Sequence, residues 1–89
     1  MKRFKETYKV VGYDGREMYQ VLKRFIAGGE EYRIIQHTGG NGLFEIQQWE
    51  ASNYDDGDWI MTHQEETEEA IYCQYVKILN STIDYDMNI

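Results

Sequence analysis

Hydrophobic and polar residues change period several times along the chain. Residues Lys5 to Tyr13, KETYKVVGY, alternate loosely and are rich in β-branched and aromatic types, which predicts a first strand. From Asp14 the sequence DGREMYQVLKRFIAGG places Met18, Val21, Leu22 and Phe25 at helical spacing, with Arg16, Gln20, Lys23, Arg24 and Ala27 on the complementary stripe. Asp14 fits an N-cap, Glu17 its N3 partner, Tyr13 and Met18 a hydrophobic staple, and Gly28 the stop, so the spacing predicts a helix over residues 15–27. The rival is a hairpin in which Asp14-Gly15 is a type I′ turn and 16–26 is a strand. It would pair Val10 with Tyr19, Tyr8 with Val21, Glu6 with Lys23 and Phe4 with Phe25. Helical periodicity over a window this long favours the helix.

The downstream pattern is simpler. Glu31 to His37, EYRIIQH, reads as a strand, Thr38 to Gly42, TGGNG, as a turn, and Leu43 to Glu50, LFEIQQWE, as the antiparallel partner. Asn53 to Gly57, NYDDG, turns the chain into a further strand at Asp58 to Thr62. Thr62 and Glu65 match a capping box, and Ala70, Cys73 and Val76 with Ile71, Tyr75, Ile78 and Leu79 predict a helix over about 63–80. The last stretch, TIDYDMNI, sets Ile83, Tyr85, Met87 and Ile89 against Asp84, Asp86 and Asn88, which predicts a final amphipathic strand. Together these elements give one α+β domain over residues 1–89 with a mainly antiparallel sheet of four to five strands.

Composition adds bounds rather than an activity. Aromatic residues make up 15% of the chain, enough to expect a folded core from a small domain. The lone Cys73 forms no internal disulfide and no signal-like sequence opens the chain, so an intracellular, cytoplasmic protein is expected. No apolar run approaches the roughly 20 residues that span a bilayer.

Charge changes the picture more. Residues 1–44 hold eight basic and five acidic groups, net +3, whereas residues 45–89 hold one basic and eleven acidic groups, net −10. Asn53 to Glu69 alone carries Asp55, Asp56, Asp58, Glu65, Glu66, Glu68 and Glu69, and no Lys or Arg occurs between Arg33 and Lys77. Four of these acids would favour a helix N-terminus. The three aspartates need another reason, because like charges this dense repel and cost stability.

Sites for chemistry are sparse. His37, His63 and Cys73 lack zinc-ligand spacing, and setting Gly57 at position six of a calcium loop leaves Ser52 first and His63 twelfth, where a bidentate Glu belongs. GGNG at Gly39 to Gly42 precedes a strand, so it is a turn rather than a phosphate loop. Cys73 falls on the predicted apolar stripe, the place of a small hydrophobe rather than a nucleophile. The reading is therefore a non-enzymatic binding protein with no metal or cofactor. The acidic half argues against direct nucleic-acid binding by the basic N-terminal residues. It points instead to a basic protein surface, with Tyr54, Trp59 and Tyr85 as anchors beside Asp55, Asp56, Asp58, Glu65, Glu66, Glu68, Glu69, Asp84 and Asp86. A homo-oligomer built through the open edge of the final strand is the alternative.

With its runs YDDGDW and EETEE, this short acidic α+β chain resembles the small inhibitors carried by phages and mobile elements, notably anti-CRISPR and anti-restriction proteins. The resemblance lies in residues 53–69 and 84–86 and is one of composition, so no residue role is carried over. It implies stoichiometric occupation of the nucleic-acid-binding surface of a nuclease or CRISPR effector.

Overall fold

The computed structural model describes residues 4, 7–39, 41–52 and 56–87, the side chains of 82–87 excepted. Strands β1 (Tyr8–Val11), β2 (Glu17–Ala27), β3 (Glu30–His37), β4 (Phe44–Glu50) and β5 (Asp58–Glu65) form one antiparallel sheet, followed by helix α1 (Glu68–Met87). Sheet order is β1-β2-β3-β4-β5, so every strand lies beside its sequence neighbours and β1 and β5 are the edges. This is an α+β fold of the expected class.

The helix expected over 15–27 is a strand, and the hairpin alternative holds. Tyr8 pairs with Val21 and Val10 with Tyr19, two of the four pairs that alternative required; Glu6 lies outside the described residues, and Phe4 lies outside β1 rather than opposite Phe25 in the ladder. Two bulges explain the misleading period. Met18 is an extra residue between the Val10–Tyr19 and Val11–Glu17 pairs, and Leu22 between the Val21–Ile35 and Lys23–Ile34 pairs. Each bulge offsets the alternation by one residue, and bulges four residues apart imitate a helical repeat. The apolar stripe is thereby shared between faces, with Leu22 and Phe25 packed in the main core and Val21 on the other side. A lone amphipathic helix of that length is marginal in water, whereas the strand gains two ladders.

The turns confirm the arrangement. Gly28 and Gly29, expected to stop a helix, have φ of 60° and 79° and join β2 to β3 as the two central residues of a type I′ hairpin turn. The β1–β2 connection is not type I′, because Asp14 keeps a negative φ. It is a three-residue loop, Tyr13-Asp14-Gly15, flanked by Gly12 N–H donating to the Arg16 carbonyl at 2.9 Å and tightened by Gly15 N–H donating to the Gly12 carbonyl at 3.0 Å.

α1 covers one face of the sheet. Ile71 enters a cluster of Phe4, Leu22, Ile34, Phe44 and Ile46, and with no exposed surface of its own it contributes about 1.5–3 kcal/mol of apolar burial. Phe25 stacks on its cross-strand partner Tyr32 at 5.1 Å and meets Tyr75 edge-on at 4.8 Å, while Phe4 lies 5.9 Å from Tyr72. The helix thus starts beside the Glu65 end of β5 and crosses toward β2.

Its ends differ from expectation. Thr62 and Glu65 do not cap it, since β5 continues through Glu65, which pairs with Phe44. Thr62 is instead a bulge whose hydroxyl donates to the Ile46 carbonyl at 3.2 Å. The cap is Thr67, whose Oγ1 accepts the Ala70 N–H at 3.1 Å. At the other end 83–87 are helical rather than a strand. No Gly or Pro interrupts the helix, and its hydrogen bonds are local, whereas a strand there needs a partner. Assembly through a C-terminal strand thereby loses its element. Cys73, placed on the apolar stripe by its spacing, is exposed.

Gly57 has a φ of 100°, and a Cβ there would stand 2.5 Å from the Glu50 carbonyl oxygen. Gly57→Ala is expected to cost more than the roughly 1–2 kcal/mol of the left-handed conformation alone, as measured by urea denaturation. Burial raises the Tyr75 phenol above its ordinary value of 10.0. The neutral phenol is favoured in the fold, so its contribution is complete below pH 10 and is lost as pH rises beyond it. Tyr75→Phe is expected to retain a larger share of its neutral-pH stability above pH 10 than the parent, as read from denaturation at several pH values.

Candidate functional site

Because the meander keeps sequence order in space, the division of charge along the chain becomes a division across the sheet. Lys9, Arg16, Lys23 and Arg24 lie on the β1–β2 side, and the β4–β5 strands carry no Lys or Arg. β5 is an edge, with Ile60 and Met61 exposed in its middle.

The acids expected to act together are split. Asp56 and Asp58 lie at the start of β5, where Asp58 Oδ1 accepts the Trp59 N–H at 2.8 Å. Glu65 ends that strand, Glu66 follows it exposed, and Glu68 and Glu69 occupy the first turn of α1. At about 3.3 Å per residue, Asp58 and Glu65 are about 23 Å apart. Glu68 and Glu69 gain about 0.3–1 kcal/mol each from the helix macrodipole. Tyr54 and Asp55 lie outside the described residues, as do the side chains of Asp84, Tyr85 and Asp86, whose backbone forms the C-terminal turns of α1. At 1.5 Å per residue the backbone of those turns is about 24 Å along the helix from Glu68. Trp59 is not a free anchor. It packs edge-on against Trp49 at 5.2 Å, and the Arg33 guanidinium lies 4.4 Å from its ring centre.

That arginine belongs to a second group, which the sequence reading missed, on the sheet face opposite α1. Val21 and Ile35 are each only 1% exposed there although no helix covers them. Alternation puts Arg33, Ile35 and His37 of β3 and Glu45, Gln47 and Trp49 of β4 on this face. Arg33 Nε donates to Gln47 Oε1 at 2.6 Å, and an Arg33 Nη lies 3.4 Å from the Tyr19 hydroxyl. Gln47 Nε2 donates to Glu45 Oε1 at 3.1 Å, and Glu45 Oε2 lies 2.6 Å from His37 Nε2. Gln47 therefore links the guanidinium to a buried carboxylate without direct contact. Arg24, opposite Arg33 in the ladder, pairs with Glu31 at 2.5 Å, and that hydrogen bond raises the Arg24 pKa. The signal for this group was the matched alternation of EYRIIQH and LFEIQQWE, which sets polar rows opposite each other.

Among the described residues no three His, Cys, Asp or Glu side chains converge as metal ligands, and no helix is long and apolar enough to cross a membrane. Comparison with protein-family models, curated proteins and solved structures returns no match.

Removing the Glu45 carboxylate strips His37 and Gln47 of their shared acceptor. Glu45→Ala is expected to cost about 1–3 kcal/mol in urea denaturation. Double-mutant cycles with His37→Ala should show coupling between the two positions.

Proposed function

We propose that this chain is a small non-enzymatic binding protein whose acidic side occupies a basic, nucleic-acid-binding surface on a partner, acting as a stoichiometric inhibitor of a nuclease or CRISPR effector. The observation that carries the reading is the β5 edge. It is unpaired by the sheet, has acids at both ends and exposed Ile60 and Met61 between them, and neither it nor β4 contains a Lys or Arg. Charge steers such an encounter and sets its register, while exposed apolar groups supply contact area. Glu50 extends the acidic end at Asp56 and Asp58. The two acidic clusters then act as separate contacts about 23 Å apart rather than as a continuous mimic of a phosphate strand.

Retention of proteins from a bacterial lysate at physiological salt tests the reading, with charge reversals made separately at Asp55, Asp56 and Asp58 and at Glu65 and Glu66. One nucleic-acid enzyme should be retained, released by competing DNA, and bound at least about 100-fold more weakly by each charge-reversal variant. A partner held equally by both variants would remove the acidic side from the interface.

A further inference from the structure

Arg24 and Arg33 stand directly opposite each other on β2 and β3, on the face that α1 leaves open. Like charges in that position repel. Of the two, Arg24 holds a carboxylate, that of Glu31. Arg33 lies within salt-bridge distance of no described carboxylate. Both oxygens of Glu45, the acid nearest in its row, are engaged by His37 and Gln47.

Arg33 is nonetheless held firmly. Its guanidinium lies 5.0 Å from the Tyr19 ring centre and 4.4 Å from that of Trp59, and its Nε is fixed by Gln47. A guanidinium has five N–H donors, and among the described residues two of those of Arg33 are engaged, one of them at a long 3.4 Å. The remaining Nη donors form an edge suited to two parallel bonds with an oxyanion. Apolar surface lies on the same face: exposed Ile26, two residues beyond Arg24, and the paired rings of Trp49 and Trp59.

We propose that Arg33, clasped by Tyr19 and Trp59, anchors a binding site for a small amphiphilic oxyanion. The ligand's carboxylate or phosphate takes the free Nη edge, and its apolar or aromatic body lies along Trp59, Trp49 and Ile26. The site is independent of the acidic edge, because it is on the open face and reads the opposite charge.

Trp49 and Trp59 are the chain's two tryptophans, so intrinsic fluorescence reports directly on the site. The full chain would be titrated with phenyl phosphate and with benzoate, which separate the two oxyanions, and with benzyl alcohol and inorganic phosphate, which supply ring and ion alone. Saturable change with phenyl phosphate or benzoate, at least about tenfold tighter than with either control, is expected, and Arg33→Met should weaken it by at least about tenfold. Methionine keeps an apolar stem at the position, and denaturation of the variant separates loss of binding from loss of fold. Should Arg33→Met fail to fold, NMR of the parent chain decides, with the largest shifts expected at Arg33 Nε and the Trp59 indole N–H. No saturable change, equal binding by the folded variant, or shifts centred on Lys77 would overturn the proposal and leave Arg33 as a lid over Val21 and Ile35.

Discussion

One helix against one five-stranded sheet is the constraint from which the rest follows. α1 seals Ile34 and Ile46 through Ile71, but it covers a single face. Val21 and Ile35 point the other way and must lose water without a second layer of secondary structure. Long side chains with apolar stems and polar tips do this, because they cover a neighbour while keeping their heads hydrated. Tyr19, Arg33 and Gln47 stand beside them in the ladders on that face, and the hydrogen bonds from Arg33 through Gln47 and Glu45 to His37 hold these side chains in one arrangement. The open face is therefore polar, aromatic and ordered at once.

Elements whose pattern matched a single local geometry were legible in the sequence. The β3–β4 hairpin announced itself through alternation on both sides of a glycine-rich turn, and Ile71, Tyr75 and Ile78 marked the inner side of α1. β2 misled because Met18 and Leu22 are bulges, and one extra residue in a strand leaves the same trace as a helical turn. The start of α1 misled because Thr62 and Glu65 satisfy a capping rule on paper, whereas Thr67, the actual cap, has Ala rather than Glu at its third position. Strict alternation after Thr82 carried no information about a pairing partner, and the chain stays helical there to Met87.

The candidate surfaces divide along the same line. Acid content was plain from the sequence, but its partition between the two ends of β5 depends on where that strand begins and stops. The Arg33 site draws on Tyr19, Gln47 and Trp59 from three different strands, so it exists only once the register is fixed. Charge order, in contrast, survives folding intact. A meander places sequence neighbours side by side, and a chain basic at one end and acidic at the other becomes a sheet with the same asymmetry between its edges.

That nearest-neighbour topology also governs the order of events during synthesis. Each strand finds its partner already made, so the sheet grows through contacts of short range that close quickly. The exception is Phe4, whose ring meets Tyr72 and Tyr75 and joins the beginning of the chain to its last element. Until the 20 residues of α1 have been added, Leu22, Ile34, Phe44 and Ile46 lack their cover. At roughly 5–20 residues per second that interval lasts about 1–4 s. For its duration the carboxylates flanking β5 disfavour edge-to-edge pairing of one unfinished sheet with another, since like charges on two edges repel.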